Sequence, residues 1–171
     1  MAIIRILQYP QDSKLLARKG KKVTKFDDDF SNIVADMFQT LYSAKNCAAL
    51  AATQLDIPDA PHVTVIDFSP QKDQPLCLVN AEIVHRDGET NLKEGCMSVN
   101  SIKGNSISAV VKRAEKIKVI AQDQYGKKIE LEEDGFMAKC IQHELDHLDG
   151  KLFIDYFTGL KRKMLERKIL S

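Results

Sequence analysis

The run His143-Glu144-Leu145-Asp146-His147 constrains this chain more than any other segment. Residues four apart share one face of a helix, so His143 and His147 can turn both imidazoles to a single metal ion. Glu144 lies about 100° around the helix from His143, where its carboxylate can take a proton from water activated at that ion. A Lewis-acidic ion beside a proton-handling carboxylate is the minimum apparatus for hydrolysing an amide or an ester. The chain has four histidines, and two of them stand here. The other helix positions, Phe136, Met137, Cys140, Ile141, Leu145 and Leu148, are apolar. They require cover, which places this helix between or against sheets.

The rest of the chain reads as a run of strands bracketed by helices. Phe30, Ile33, Val34, Met37, Phe38, Leu41 and Tyr42 step by threes and fours along one helix face, and Asp27, Asp28 and Asp29 suit its N-terminus. Segments 62–68, 76–79, 117–121 and 128–131 read as strands, the last two joined by a turn near Tyr125-Gly126. Asp134-Gly135 opens the histidine-bearing helix, which ends near Asp149-Gly150, and a last helix covers 159–170. Strands in succession, not in alternation with helices, predict an α+β fold. Its antiparallel or mixed sheets pack around the central metal-binding helix, with one helix N-terminal and one C-terminal. The 171 residues suffice for a single catalytic domain with a substantial core.

Composition excludes more than it selects. A net charge of +1 gives no support to a polyanionic partner such as DNA. The N-terminus carries no signal-peptide pattern, and no segment approaches the roughly 20 apolar residues of a membrane span. Cys47, Cys77, Cys96 and Cys140 lack the spacing of a disulfide scaffold, which predicts reduced thiols and a cytoplasmic protein.

A catalytic site of this kind takes three protein ligands and keeps one position open. An extended H-E-x-x-H-x-x-G-x-x-H pattern would place the third ligand at position 153, but Phe153 cannot bind a metal. Glu166 is the only later glutamate, and it sits in a basic terminal helix. Cys96, after Gly95 and before a short hydrophobic segment, is the better candidate.

Three motifs now coincide. Glu94-Gly95-Cys96-Met97-Ser98 resembles the E-G-C-L-S motif of peptide deformylases, and Gln142 to Gly150 resembles their Q-H-E-x-D-H-L-x-G motif. Leu50-Ala51-Ala52-Thr53-Gln54 resembles the second half of their G-x-G-L-A-A-x-Q motif. Ile6 to Pro10 and Gly150 to Asp155 are similar too, so the likeness spans nearly the whole chain. The resemblance implies that Cys96, His143 and His147 bind one divalent ion. Fe²⁺ is expected in the cell, with Zn²⁺, Ni²⁺ or Co²⁺ possible in the isolated protein. It implies that Glu144 is the general base, that the Gln54 amide and the Met97 backbone N–H stabilise the oxyanion, and that Ala49, Lys139 and Cys140 contact substrate. The expected reaction removes the formyl group from the N-terminal methionine of new proteins. The expected partners are N-formyl-methionyl peptides and, through the basic run Lys161 to Lys168, the ribosome. A monomer in the bacterial cytoplasm completes the expectation.

The chain also departs from the family pattern. Cys47 and Ala49 stand where the first motif has glycines. Asn100 replaces a proline, the loop expected over 101–110 is long and polar, and Lys103 stands in place of an arginine. Lys139, one turn before His143, either packs its stem and turns its ammonium outward or polarises the substrate pocket. Cys47 reads as a small buried residue in preference to a reactive thiol, and His62 and His85 as structural or exposed. These departures keep two alternatives open. One is a metal-dependent peptidase or amidohydrolase with another acyl-amine substrate, and the other a weakly active formyl-peptide-binding relative.

Overall fold

The structure is a computed structural model and describes residues 2–171. In chain order its elements are α1 (Ser13–Leu16), α2 (Asp28–Ser43), β1 (Ala49–Ala51), β2 (Val63–Ile66), β3 (Leu76–Asp87), β4 (Thr90–Asn100), β5 (Ser106–Arg113), β6 (Lys116–Gln122), β7 (Lys128–Asp134), α3 (Gly135–Leu148) and α4 (Gly159–Ile169). Single 3-10 turns sit at Ala52–Gln54 and Phe153–Tyr156. A five-stranded sheet runs β1-β2-β3-β6-β7, and β4 pairs with β5 as a separate ribbon, all antiparallel. The expected α+β architecture is present, and no described helix is long and apolar enough to cross a membrane.

Local chemistry explains the main elements. Asp27 caps α2, its carboxylate accepting the Phe30 N–H at 3.0 Å. The apolar face that follows buries Phe30, Val34, Met37 and Leu41. All four residues of β2 are buried because the strand is covered on both faces. Alternation sends Val63 and Val65 into the core shared with α2, and Ile66 into the core shared with α3. The large sheet thus lies between α2 and α3. A third core joins β4 and β5 to α4 and the second 3-10 turn through Val99, Ile107, Val111, Phe153, Leu165 and Ile169.

Half of the segment expected as a long polar loop, 101–110, is strand. Only residues 101–105 form the connection, and β5 follows with Ile107, Ala109, Val111 and Arg113 buried in strict alternation. Two serines, an alanine and an inward arginine dilute the apolar signal that marks a strand. Likewise β3 runs on to Asp87, eight residues past the predicted end, because its second half is exposed. Neither α1 nor the 3-10 turns announce themselves, being shorter than any periodic window.

α3 stops at Gly150, which takes φ +79°, the left-handed conformation that closes many helices. A Cβ there would be driven into the Ala17 carbonyl, so neither the φ nor the space admits a side chain. Gly150→Ala is expected to cost about 2–4 kcal/mol of stability. Urea unfolding checks this, and an unchanged midpoint would contradict the account.

Candidate metal centre

Two elements deliver the ligands. α3 carries His143 and His147 on the face turned away from the large sheet. β4 carries Cys96 within a bulge. Between the pairs Gly95↔Ser108 and Asn100↔Ser106, β4 advances five residues while β5 advances two. The surplus pushes 96–99 out of the ladder and toward α3. Gly95 precedes the bulge where a Cβ would lie 3.3 Å from the Ile107 carbonyl oxygen, so the close strand approach favours glycine.

The ligand atoms meet. Cys96 Sγ lies 3.2 Å from His147 Nε2, and His147 Nε2 lies 3.2 Å from His143 Nε2. All three fall within 4.8 Å of one another. Ideal tetrahedral zinc-type bonds place such atoms about 3.3–3.6 Å apart. The triad therefore fits one small divalent ion, and it matches the set expected from the sequence.

Electrostatics agree with the distances. Burial works against a charged His143, but Cys96 and Glu94 outweigh it and lift the imidazole to about 10. His147 is pushed well below its ordinary value by burial and by the neighbouring positive groups, so it is a neutral imidazole ready to ligate.

Behind the ligands stands a network that the sequence did not reveal. Glu94 Oε1 lies 2.8 Å from His143 Nδ1. That contact fixes the ring and leaves Nε2 for the ion. Arg113 clamps Glu94 with two bonds of 2.8 and 2.9 Å, and its remaining nitrogen reaches Asp146 and the Tyr156 hydroxyl. Tyr156 donates to Asp146 at 2.7 Å. Burial raises the Glu94 carboxyl, yet Arg113 and His143 overcome it and bring Glu94 down to about 2. Gln142 binds both the N–H and the carbonyl of Ala114, pinning α3 to the β5–β6 turn. Glu94, Gln142 and Asp146 lie inside the two motifs, which was the available signal. Arg113 carried none.

The remaining sequence candidates line one cavity of about 740 Å³ with Cys96 and His143: Ala49, Gln54, Met97, Lys139, Cys140 and Glu144. Glu144 is buried with Oε2 unpartnered. Burial raises its carboxyl to about 7, where it can hold or release a proton at neutral pH. Gln54 is locked: Oε1 accepts the Ala51 N–H at 2.9 Å, and Nε2 donates to Ser98 Oγ at 3.1 Å and points to Cys96 Sγ at 3.9 Å. Met97 lies in the bulge, outside the β5 register. Lys139 turns outward, donating to the Lys93 carbonyl at 3.2 Å. Cys47 and Ala49 take no positive φ, so the lost glycines leave no backbone strain. Burial pushes the Cys47 thiol up to about 12, which makes it inert. His85 is exposed and His62 half-buried, both outside this cavity, and Glu166 bonds Tyr9 and Arg162 and is not part of the ligand cluster. Lys103 is exposed at the tip of the β4–β5 turn.

A thiolate and two helical imidazoles beside a buried, unpaired carboxylate define a mononuclear metal-dependent hydrolase. Comparison with known proteins makes this specific: a family model described as polypeptide deformylase matches residues 3–163. The chain belongs to the peptide deformylase family. It is 55% identical over 167 residues to peptide deformylase 1 of Coxiella burnetii, covering 98% of this chain and 95% of that one. A crystal structure of a peptide deformylase from Legionella pneumophila superposes with TM-score 0.87 at 39% identity, over 98% of this chain and 94% of that one. A peptide deformylase from Ehrlichia chaffeensis, in complex with actinonin, gives TM-score 0.86 at 28% identity over 99% and 96%. The main functional expectation therefore stands over its two alternatives.

The Glu94 contact yields a direct expectation. Glu94→Gln keeps the shape but removes the charge that orients His143, so metal affinity should fall about 10–100-fold. Competition with a chromogenic chelator reads this, and an unaltered affinity would leave Glu94 as a structural residue only.

Proposed function

We propose that residues 1–171 act as one catalytic domain that hydrolyses the formyl amide of N-formyl-methionyl peptides, with Glu144, Gln54 and Met97 as its reacting groups. The observation that carries this assignment is the Glu144 carboxylate, buried one residue from a metal ligand with its Oε2 unpartnered and lining the cavity. A divalent ion held by Cys96, His143 and His147 supplies a Lewis acid and lowers the pKa of water. Glu144 accepts a proton from the attacking water, then delivers it to the departing amine nitrogen. Formate and a free N-terminal methionine result. The oxygen of the formyl group gains negative charge as attack proceeds. Gln54 suits that charge because its carbonyl end is occupied by Ala51 and its NH₂ end is aimed at the ligand cluster. The Met97 N–H is free of the β5 ladder and can supply a second donor. Ala49, Cys140 and the Lys139 stem line the space for the methionine side chain.

The ion in the cell is proposed to be Fe²⁺, with Zn²⁺, Ni²⁺ or Co²⁺ able to occupy the same three donors. One thiolate and two imidazoles suit all four. The protein is proposed to work as a monomer in the bacterial cytoplasm, with no membrane or DNA partner.

Protein loaded anaerobically with ferrous iron should turn over formyl-Met-Ala-Ser. Glu144→Gln should retain the ion and lose about 10²–10⁴ in kcat/KM. Gln54→Ala should lose about 10²–10³. Metal analysis beside the kinetics separates lost chemistry from a lost ion, and full activity in Glu144→Gln would refute this mechanism.

Contact with the ribosome is proposed through α4. Arg162 is spent inward on Ile154, Asp155, Glu166 and Tyr9, so the available cations are Lys161, Lys163, Arg167 and Lys168. Leu165 and Ile169 are core residues, so truncating the helix would damage the fold. The exposed pair Lys163→Glu and Arg167→Glu tests the contact instead. Co-sedimentation with ribosomes should weaken in the variant and with added salt, and salt-insensitive or unchanged binding would exclude this face.

A further inference from the structure

We infer that Lys45 and Lys139 make the mouth of the active-site cavity selective for formyl-methionyl peptides that carry an acidic residue after the methionine. The inference deepens the deformylase reading and rests on it. The formal charges lining this cavity are unevenly distributed in depth. Its two carboxylates are buried at the floor: Glu94 is 3% exposed and clamped by Arg113, and Glu144 is 4% exposed beside the ligands. The charges left near solvent are lysines, with Lys45 exposed in the α2–β1 connection and Lys139 half-buried on α3.

Neither lysine takes part in an ion pair among the described residues. Lys139 is nevertheless held in place. Its ammonium donates to the Lys93 carbonyl at 3.2 Å and stands 4.5 Å from the centre of the Phe136 ring. Phe136 is itself 50% exposed and lines the cavity, so the ammonium is fixed at the rim. Lys103 adds to the field: it is exposed between Ile102 and Gly104, both of which line the cavity across from α3. Like charges around an opening, with no counter-charge at the same level, create a positive potential there. A peptide whose formyl end reaches the floor must pass its next residues through that opening. An acidic side chain gains from the potential and a basic one is repelled, most strongly in the transition from free to bound substrate.

The test compares kcat/KM for formyl-Met-Glu-Ser, formyl-Met-Gln-Ser and formyl-Met-Lys-Ser, together with the set in which the charge is moved one residue on. In the iron-loaded protein at low ionic strength, the Glu peptide should exceed the Lys peptide about tenfold in at least one set. The ratio should contract toward one in about 0.5 M salt, where screening acts within about 4 Å. It should contract likewise in the double variant Lys45→Gln/Lys139→Gln, each ratio being taken within one protein so that altered overall activity cancels. A Lys peptide equal to or better than the Glu peptide in both sets would overturn the inference. A ratio that the double variant leaves unchanged would overturn it too. Absence of turnover on every peptide would refute the deformylase reading itself and this inference with it, whereas turnover without charge preference refutes only the latter.

Discussion

The centre of this protein hangs on one buried ion pair. Arg113 and Glu94 expose only 4% and 2% of their side chains. Taking each charge out of water costs several kcal/mol, which attraction offsets only when every lone pair and proton finds a partner. Here they do. Both Glu94 oxygens meet Arg113, one also meets His143, and the rest of the guanidinium is used by Asp146 and Tyr156. The pair thereby ties β4 and β5 to α3 and to the turn after it. The bulge that delivers Cys96 starts two residues beyond Glu94, so the position of the Cys96 sulfur and the orientation of His143 depend on the same contact.

The two histidines are held by different means. His143 has a carboxylate behind its Nδ1, whereas the buried Nδ1 of His147 has no partner. Backbone placement substitutes for the missing contact: the His147 carbonyl accepts the Thr53 hydroxyl at 2.6 Å, joining α3 to the turn that carries Gln54. One ligand is thus positioned electrostatically and the other by packing. The first ring carries the influence of Arg113 into the donor set. The second fixes the distance between the turn that carries Gln54 and the metal ligands.

What the sequence reveals follows the reach of its periodic signals. The faces of α2 and α3 are legible because apolar residues recur at helical spacing and acidic caps precede them. The metal triad is legible because two ligands share one helix and the third sits in a short motif. β5 was not, since Ser106, Ser108 and Ala109 interrupt its pattern and its last inward residue is an arginine. Because the strand went unread, so did Arg113, whose role exists only once β5 lies beside β4. Lys139 is an intermediate case: its type and position admit two orientations, and the bond to the Lys93 carbonyl selects the outward one.

The exchanged glycines can now be placed physically. β1 is an edge of the large sheet, paired only with β2. Across the cavity, residues 96–99 of β4 are outside their own ladder. Both border the cavity, at Ala49 and Met97, but the Met97 and Ser98 carbonyls are already taken by Gln8, Asn100 and the Tyr9 N–H, so the capacity to pair with an extended peptide rests on the backbone groups left over. That capacity depends on backbone path, and Cys47 and Ala49 adopt no conformation reserved for glycine. Their side chains act instead on the shape of the cavity they line. The same holds for Lys139. In this chain the metal triad lies on a buried floor braced by Glu94 and Arg113, with Glu144 Oε2 and His147 Nδ1 left unpartnered there, while the residues that depart from the family motifs are gathered at the walls and mouth. There they shape the cavity without touching the contacts that hold the metal ligands in place.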